Sequence, residues 1–131
     1  MPSISITSTN RNQMIDITNH VAEIVPKNIK KGICNVFSKH TTAGITINEN
    51  ADPDVILDIL SQLEDMAPYA KRSYRHIEGN SDAHVKTSLV GCSQVIPFSE
   101  GRLCLGTWQG IYFCEFDGPR TRSVEVTFCG L

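Results

Sequence analysis

From Ser123 to Cys129 apolar and polar residues alternate without a break, Val124, Val126 and Phe128 against Ser123, Glu125 and Thr127. A period of two sends one set to each face of an extended chain, so this segment is expected to be a strand buried on one side. Ser3 to Thr9 repeats the pattern at the other end, with Ile4 and Ile6 set against Ser3, Ser5 and Thr7. Met14 to Ile17 reads as its short neighbour in the sheet. Further strands are expected over Ile33 to Ser38, Gly44 to Glu49, Cys92 to Phe98, Leu103 to Leu105 and Ile111 to Phe116, the later ones divided by Gly, Pro and Ser.

Helices fall between these strands. The clearest runs from Asp52 to Met66: Asp52 is placed to cap it, Pro53 suits the first helical position, and Val55, Ile56, Ile59, Leu60, Leu63 and Met66 form one stripe expected to be buried. The opposite face, with Asp54, Asp58, Ser61, Gln62 and Asp65, reads as solvated charge. Asn80-Ser81-Asp82 resembles an N-cap for a shorter helix through Val90, with Val85 and Leu89 one turn apart and Gly91 as its stop. A further helix is expected from Thr18 or Asn19 to a close at Gly32, although Pro26 would bend or shorten it. Strands at both ends with two or three helices interspersed predict an α+β fold around an antiparallel β-sheet.

At 131 residues the chain suits one domain, 1–131, without a repeat or linker to divide it. Twelve basic against fourteen acidic residues leave a net charge of −2, so no overall positive field is available for a nucleic-acid backbone. Apolar runs are only a few residues long and the first residues carry no signal-peptide pattern, so no membrane partner is expected and a cytoplasmic location is. Five cysteines, odd in number and never spaced as CxxC, are expected to be buried reduced thiols.

Polar residues gather where the core does not need them. His40 follows a strand and precedes Thr41-Thr42, a place from which a side chain projects off a rigid element. His76 and His84 bracket a polar segment containing Glu78, Gly79, Asn80 and Ser81, and the helix start within it offers free N–H groups to an anion. The positive end of that helix disfavours a charged imidazole at His84, which suits this residue to ligate a metal or accept a proton. Three converging histidines are a recognised zinc arrangement, but the eight-residue gap between His76 and His84 is no standard ligand pair, and exposed or hydrogen-bonded histidines fit the spacing too. Arg120 and Arg122 share a face if extended and could clamp a phosphate, after a turn at Asp117-Gly118-Pro119. Trp108 and Gln109, between two glycines, form either a platform for a flat heterocycle or core packing. Glu49, on the strand face of Ile45 and Ile47, is a candidate for proton transfer.

The segments His40–Ile45, Asn48–Pro53, His76–His84 and Gly106–Gly110, followed by Glu115–Arg120, together resemble the YjbQ family, also described as secondary thiamine-phosphate synthase. The likeness runs in order along essentially the whole chain. It implies an α+β subunit with a half-barrel sheet, assembled as a homotrimer with polar clusters near subunit boundaries. It also implies a side activity beside a physiological role that is unsettled: a transferase joining an aminopyrimidine methyl diphosphate to a thiazole phosphate with loss of diphosphate. In that reading Arg120, Arg122 and the helix start at Asn80 and Ser81 serve phosphates, and His40, His76 and His84 ligate a divalent metal, Mg²⁺ or Zn²⁺, or move protons. Glu49 or Glu78 orients the aminopyrimidine, and Trp108 with Gln109 meets a ring. Two rival classes are a metal-dependent hydrolase with a three-histidine site and a non-catalytic module for a small phosphorylated or anionic metabolite.

Overall fold

The computed structural model describes residues 2–131. Eight strands and three helices follow one another as β1 (Ser3–Thr7), β2 (Gln13–Asp16), α1 (Thr18–Glu23), β3 (Lys31–Ser38), β4 (Ala43–Glu49), α2 (Pro53–Met66), α3 (Ser81–Val90), β5 (Ser93–Ser99), β6 (Arg102–Leu103), β7 (Gln109–Glu115) and β8 (Thr121–Gly130). All pairings are antiparallel, in a five-stranded sheet of order β1-β8-β3-β5-β6 and a three-stranded sheet of order β2-β7-β4. Together they make a curled half-barrel with three helices, an α+β architecture.

The alternation at the two chain ends is the seam of the larger sheet: Ile4 pairs with Val124 and Ile6 with Arg122. Ile4, Ile6, Val124 and Val126 point inward with Cys34, Val36, Ile96 and Phe98, and meet Ile45, Ile111 and Phe113 of the smaller sheet. β7 is buried on both faces. Ile111 and Phe113 face this core, while Tyr112 and Cys114 face the helices with Met14, Ala83 and Phe116. Burial on two sides is why this strand reads as an unbroken apolar run.

Several expectations are corrected. β2 pairs with β7 in the smaller sheet and is no neighbour of β1. α1 has six residues and ends at Glu23, before Pro26, and Gly32 lies inside β3 instead of closing a helix. A Cβ at Gly32 would stand 2.2 Å from the carbonyl oxygen of Cys129, so glycine is required by strand contact. α2 has its cap where expected, Asp54 N–H donating to the Asp52 carboxylate at 2.9 Å with Pro53 next, but its stripe is only half-buried and Met66 is exposed. Ile56, Ile59, Leu60 and Leu63 pack against the small core of Met14, Ala83, Tyr112, Cys114 and Phe116, while Leu57 and Met66 stay exposed. Only Cys34 and Cys114 are buried, their thiols pushed up to about 11 and about 12 by desolvation, whereas Cys92, Cys104 and Cys129 are exposed. No helix among the described residues is long and apolar enough to cross a membrane.

The last correction is in α3. It spans the expected residues and ends at Gly91, whose φ of +95° suits glycine. Its inward face, however, carries Asp82, Ala83, Lys86 and Thr87, while Val85 and Leu89 point to solvent.

Candidate functional site

The junction between α3 and β5 is pinned to the strands beside it. Gly91 C=O accepts from Ile45 N–H at 3.0 Å, and Cys92 C=O accepts from Ser38 N–H at 2.8 Å. α3 is thereby laid along the β3–β4 connection, where Ser38 Oγ donates to Ala43 C=O at 2.8 Å and accepts from His40 N–H at 3.3 Å. These bonds bring His84 and His40 to one cleft of about 470 Å³, the size of a small-molecule site. Its lining gathers Lys39, His40, Thr41 and Thr42 from the connection, His76, Glu78, Asn80 and His84 from the approach to α3 and its first turn, and Asp117, Arg120 and Arg122 from the turn before β8.

The floor of the cleft is an ion pair. Glu115, fully buried, accepts from Arg122 Nε at 2.9 Å and from Ser8 Oγ at 2.9 Å, and Arg122 Nη2 reaches Thr42 Oγ1 at 2.9 Å. Burial alone would raise the Glu115 carboxyl, but hydrogen bonds from Arg122, Asp117 N–H and Ser8, with the Arg122 charge, hold it below the usual range of 4.5. Above this floor Asp117 acts as a hub. Its carboxylate accepts from Asn80 Nδ2 at 2.8 Å, Arg120 Nη2 at 3.1 Å and Arg11 Nη1 at 3.2 Å. Asn80 therefore spends its amide on Asp117 instead of capping α3, and its Oδ1 is left without a partner in the chain.

Asp117 is 12% exposed, whereas the Arg120 side chain is 50% and Lys39 62% exposed, so these two cations stand at the opening above the Asp117 carboxylate. Lys39 Nζ lies 3.3 Å from Glu125 Oε1, and the exposed Glu78 carboxylate shares the rim with them. His40 Nε2 accepts from Ser123 N–H at 3.1 Å. Partial burial and the neighbouring Arg122 charge hold this imidazole below its ordinary 6.5, so it is neutral near pH 7 and its remaining nitrogen, Nδ1, carries the proton as a donor.

Of the residues singled out in the sequence, His40, His76, His84, Glu78, Asn80, Arg120 and Arg122 meet at this cleft. The His76 and His84 rings pack edge to face with centroids 5.4 Å apart, and His76 Nε2 lies 3.8 Å from Glu78 Oε1. His40 is spoken for by Ser123. Among the described residues no group of three His, Cys, Asp or Glu side chains is drawn close enough, as the side chains stand, to hold an ion. Arg120 precedes β8 and Arg122 lies within it on the Glu115 carboxylate, so the pair is not a free two-arginine clamp. Ser81 lines an adjoining hollow with Tyr69, Tyr74 and Gly79.

Glu49, Trp108 and Gln109 lie elsewhere. Glu49 pairs with Gln109 at one end of the smaller sheet, while Ala43 pairs with Glu115 at the cleft end, six residues or about 20 Å away. Glu49 Oε2 accepts from Asp52 N–H at 3.2 Å and Gln109 Oε1 from Gly106 N–H at 2.8 Å, both turn-building contacts. Trp108 is 63% exposed, which corrects the core-packing alternative. Reading by pattern passed over Lys39, Arg11 and Lys86, and took Asp82 for part of a cap and Asp117 for turn chemistry alone. The one available signal was the i,i+4 spacing of Asp82 and Lys86 on a helix.

Comparison with known proteins finds relatives along the whole length. The family model of UPF0047 protein YjbQ-like sequences matches residues 2–131. The UPF0047 protein YugU of Bacillus subtilis is 50% identical over 131 residues, covering 99% of each chain. A UPF0047 protein of Methanocaldococcus jannaschii is 49% identical over 126 residues, covering 95% of this chain and 91% of its own. A crystal structure of a YjbQ/UPF0047 family protein from Clostridium acetobutylicum superposes with a TM-score of 0.95 at 53% identity, covering 98% of this chain and all of that one. A YbjQ-like protein of unknown function from Sulfolobus solfataricus gives 0.92 at 36% identity, covering 99% of this chain and 96% of that one.

Proposed function

Given that the chain belongs to the UPF0047 family of YjbQ-like proteins, we propose that its cleft binds a small phosphorylated metabolite and carries a thiamine-phosphate-synthase-like transfer. The observation that carries the reading is the mouth of the cleft: Arg120 and Lys39 exposed above the Asp117 carboxylate, with three imidazoles on the same walls. In the transfer, the bond from the pyrimidine methylene to the diphosphate oxygen breaks with its electron pair going to diphosphate. The thiazole ring nitrogen then forms the new bond to that methylene. Charge grows on the departing diphosphate, and preorganised donors aimed at it lower the barrier. Arg120 and Lys39 supply charge there, His40 Nδ1–H supplies a neutral donor, and Glu78 at the rim orients an amino group. His84 and His76 donate N–H hydrogen bonds to the departing diphosphate. This reading needs no protein-held ion; Mg²⁺ enters with the diphosphate.

Purified protein given both precursors and Mg²⁺ is expected to form thiamine phosphate, and His84→Ala and Arg120→Ala to lose about 100-fold in rate without a change in assembly. Equal product from wild type and both variants would overturn the assignment. Product from none of them, with a ligand-dependent rise in melting temperature, would make the cleft a binding module. The subunit is proposed to assemble as a homotrimer; exposed Leu57, Met66, Val85 and Leu89 support an interface, and light scattering of the eluted protein tests it.

A further inference from the structure

Between α2 and α3, residues 67–80 form neither helix nor strand. Both roots of this strap hang on the Arg11–Asp117 pair. At one root the Tyr69 ring lies 4.0 Å from the Arg11 guanidinium and Tyr69 N–H donates to Glu64 Oε2 at 2.8 Å; at the other, Asn80 Nδ2 donates to Asp117 at 2.8 Å. Between the roots the chain stands off the body. Ile77 is 98% exposed, and two hollows separate the strap from the start of α3. One, of about 270 Å³, lies between Lys71, Tyr74 and Gly79 and the helix residue Ser81; the other, of about 340 Å³, lies between His76 and the helix residues Ser81, His84 and Val85. Gly79, beside the second root, has a φ of +76° and nothing within 4 Å of where a Cβ would stand, so it serves the backbone and not packing. The strap also carries Lys71, Arg72 and Arg75, all exposed, and none of them forms an ion pair among the described residues.

We propose that residues 70–79 close over the cleft when an anion occupies it and bring Arg75 to that anion as a further binding residue. The inference rests on the anion-binding reading of the cleft and adds to it a residue and a motion. Charge gives the reason. Arg120 already faces Asp117 at 3.1 Å and Lys39 faces Glu125 at 3.3 Å, so a multiply charged anion gains most from cations that have no carboxylate of their own. Of the three on the strap, Arg75 is the one next in the chain to His76, which already lines the cleft. Its planar fork suits phosphoryl oxygens. The same charges hold the strap open over an empty cleft, because moving Arg75 inward sets it against Arg120 and Lys39, and only an anion between them reverses the sign. The two hollows give the strap room to move, and fixed roots with a glycine beside one of them confine the motion to the residues between.

Trypsin reads this motion, because Lys71, Arg72 and Arg75 are its cleavage sites on the strap, and the exposed Lys30, in the connection from α1 to β3, is a reference outside it. The whole chain is digested briefly with and without inorganic diphosphate, the cuts are followed by mass spectrometry, and the melting temperature is measured alongside. At ten times its Kd, diphosphate is expected to slow cleavage after Lys71, Arg72 and Arg75 about tenfold and to leave Lys30 unchanged. Arg75→Ala is expected to weaken diphosphate about tenfold by titration calorimetry, and Arg75→Lys to recover most of that loss. If diphosphate raises the melting temperature while the strap is cut at the free rate, the strap does not close and the proposal falls while the cleft reading stands. Slowing at Lys30 equal to that on the strap overturns it too, since the effect is then general. Unchanged affinity in Arg75→Ala takes Arg75 out of the site and overturns the proposal. If diphosphate leaves the melting temperature unmoved, the cleft reading itself fails and the closure falls with it.

Discussion

Glu115 and Arg122 meet across the seam between the two sheets, one at the end of β7 and one near the start of β8, and both are almost wholly removed from water. A buried pair is costly to break because the surviving charge is left unpaired in a poorly solvating place. Glu115→Ala is therefore expected to lose about 3–5 kcal/mol, read from denaturant midpoints, and more than Arg120→Ala, whose guanidinium is half in solvent. The same pair sets part of the acid limit. Glu115 is held below its ordinary 4.5, so its contribution is complete above that value and is lost as pH falls through the lower folded value. His40 acts in a separate window. Its folded form is neutral and below 6.5, so stability from this group is greatest above 6.5 and declines as pH falls toward the folded value. Stability against pH should fall in two steps on acidification. His40→Asn is expected to remove the upper one, and Glu115→Gln to flatten the lower one. A single step unchanged in both variants would contradict these assignments.

At the scale of the element, α3 shows where periodicity misleads. Val85 and Leu89 recur at helical spacing and suggest an inward stripe, yet the inward stripe is Asp82, Ala83, Lys86 and Thr87. What allows the inversion is a chain of ion pairs: Lys86 Nζ donates to Asp82 at 3.0 Å and to Glu64 of α2 at 2.7 Å, and Arg11 reaches Asp82 at 2.8 Å and Asp117 at 3.2 Å. Every buried charge has an opposite one within hydrogen-bonding distance, and the network runs from α2 under α3 to the cleft. Lys86→Ala should therefore cost about 3 kcal/mol or more, whereas Val85→Ser should stay within about 0.5 kcal/mol in the unassembled chain. The reverse order would mean that the face is apolar after all. The Asp52 cap with Pro53 and the Gly91 stop were legible, because they act within a few residues of their own backbone, whereas the stop read at Gly32 lies in a strand and the cap read at Asn80 is turned to Asp117. The partner of a buried lysine was not, because Glu64 and Asp82 become its neighbours only when two helices pack.

For the whole molecule, the strands could be read where one face is wet, as in β1 and β8, and their pairing could not: nothing local in Met14 to Ile17 chooses β7 over β1. The site follows the same division. His40, the segment from His76 to His84, and Arg120 lie far apart in sequence, and their side chains could be singled out as polar residues that the core had no use for. Their meeting depends on the Gly91 and Cys92 carbonyls binding the strands beside them. Trp108 and Gln109 looked equally unclaimed, and the fold sends them to the opposite end of the smaller sheet, about 20 Å from the cleft floor. This separation supplies a test of how many chains build one site. If a single chain suffices, Trp108→Ala should change the affinity for inorganic diphosphate by less than about twofold, while Arg120→Ala weakens it about tenfold, as expected for one charge-assisted contact. Titration calorimetry reads both variants without using the sole tryptophan as a probe. A loss at Trp108 as large as the loss at Arg120 could not come from its own chain at that distance. It would mean that a second subunit lays its tryptophan over the first one's cleft, and that the ligand is held between copies.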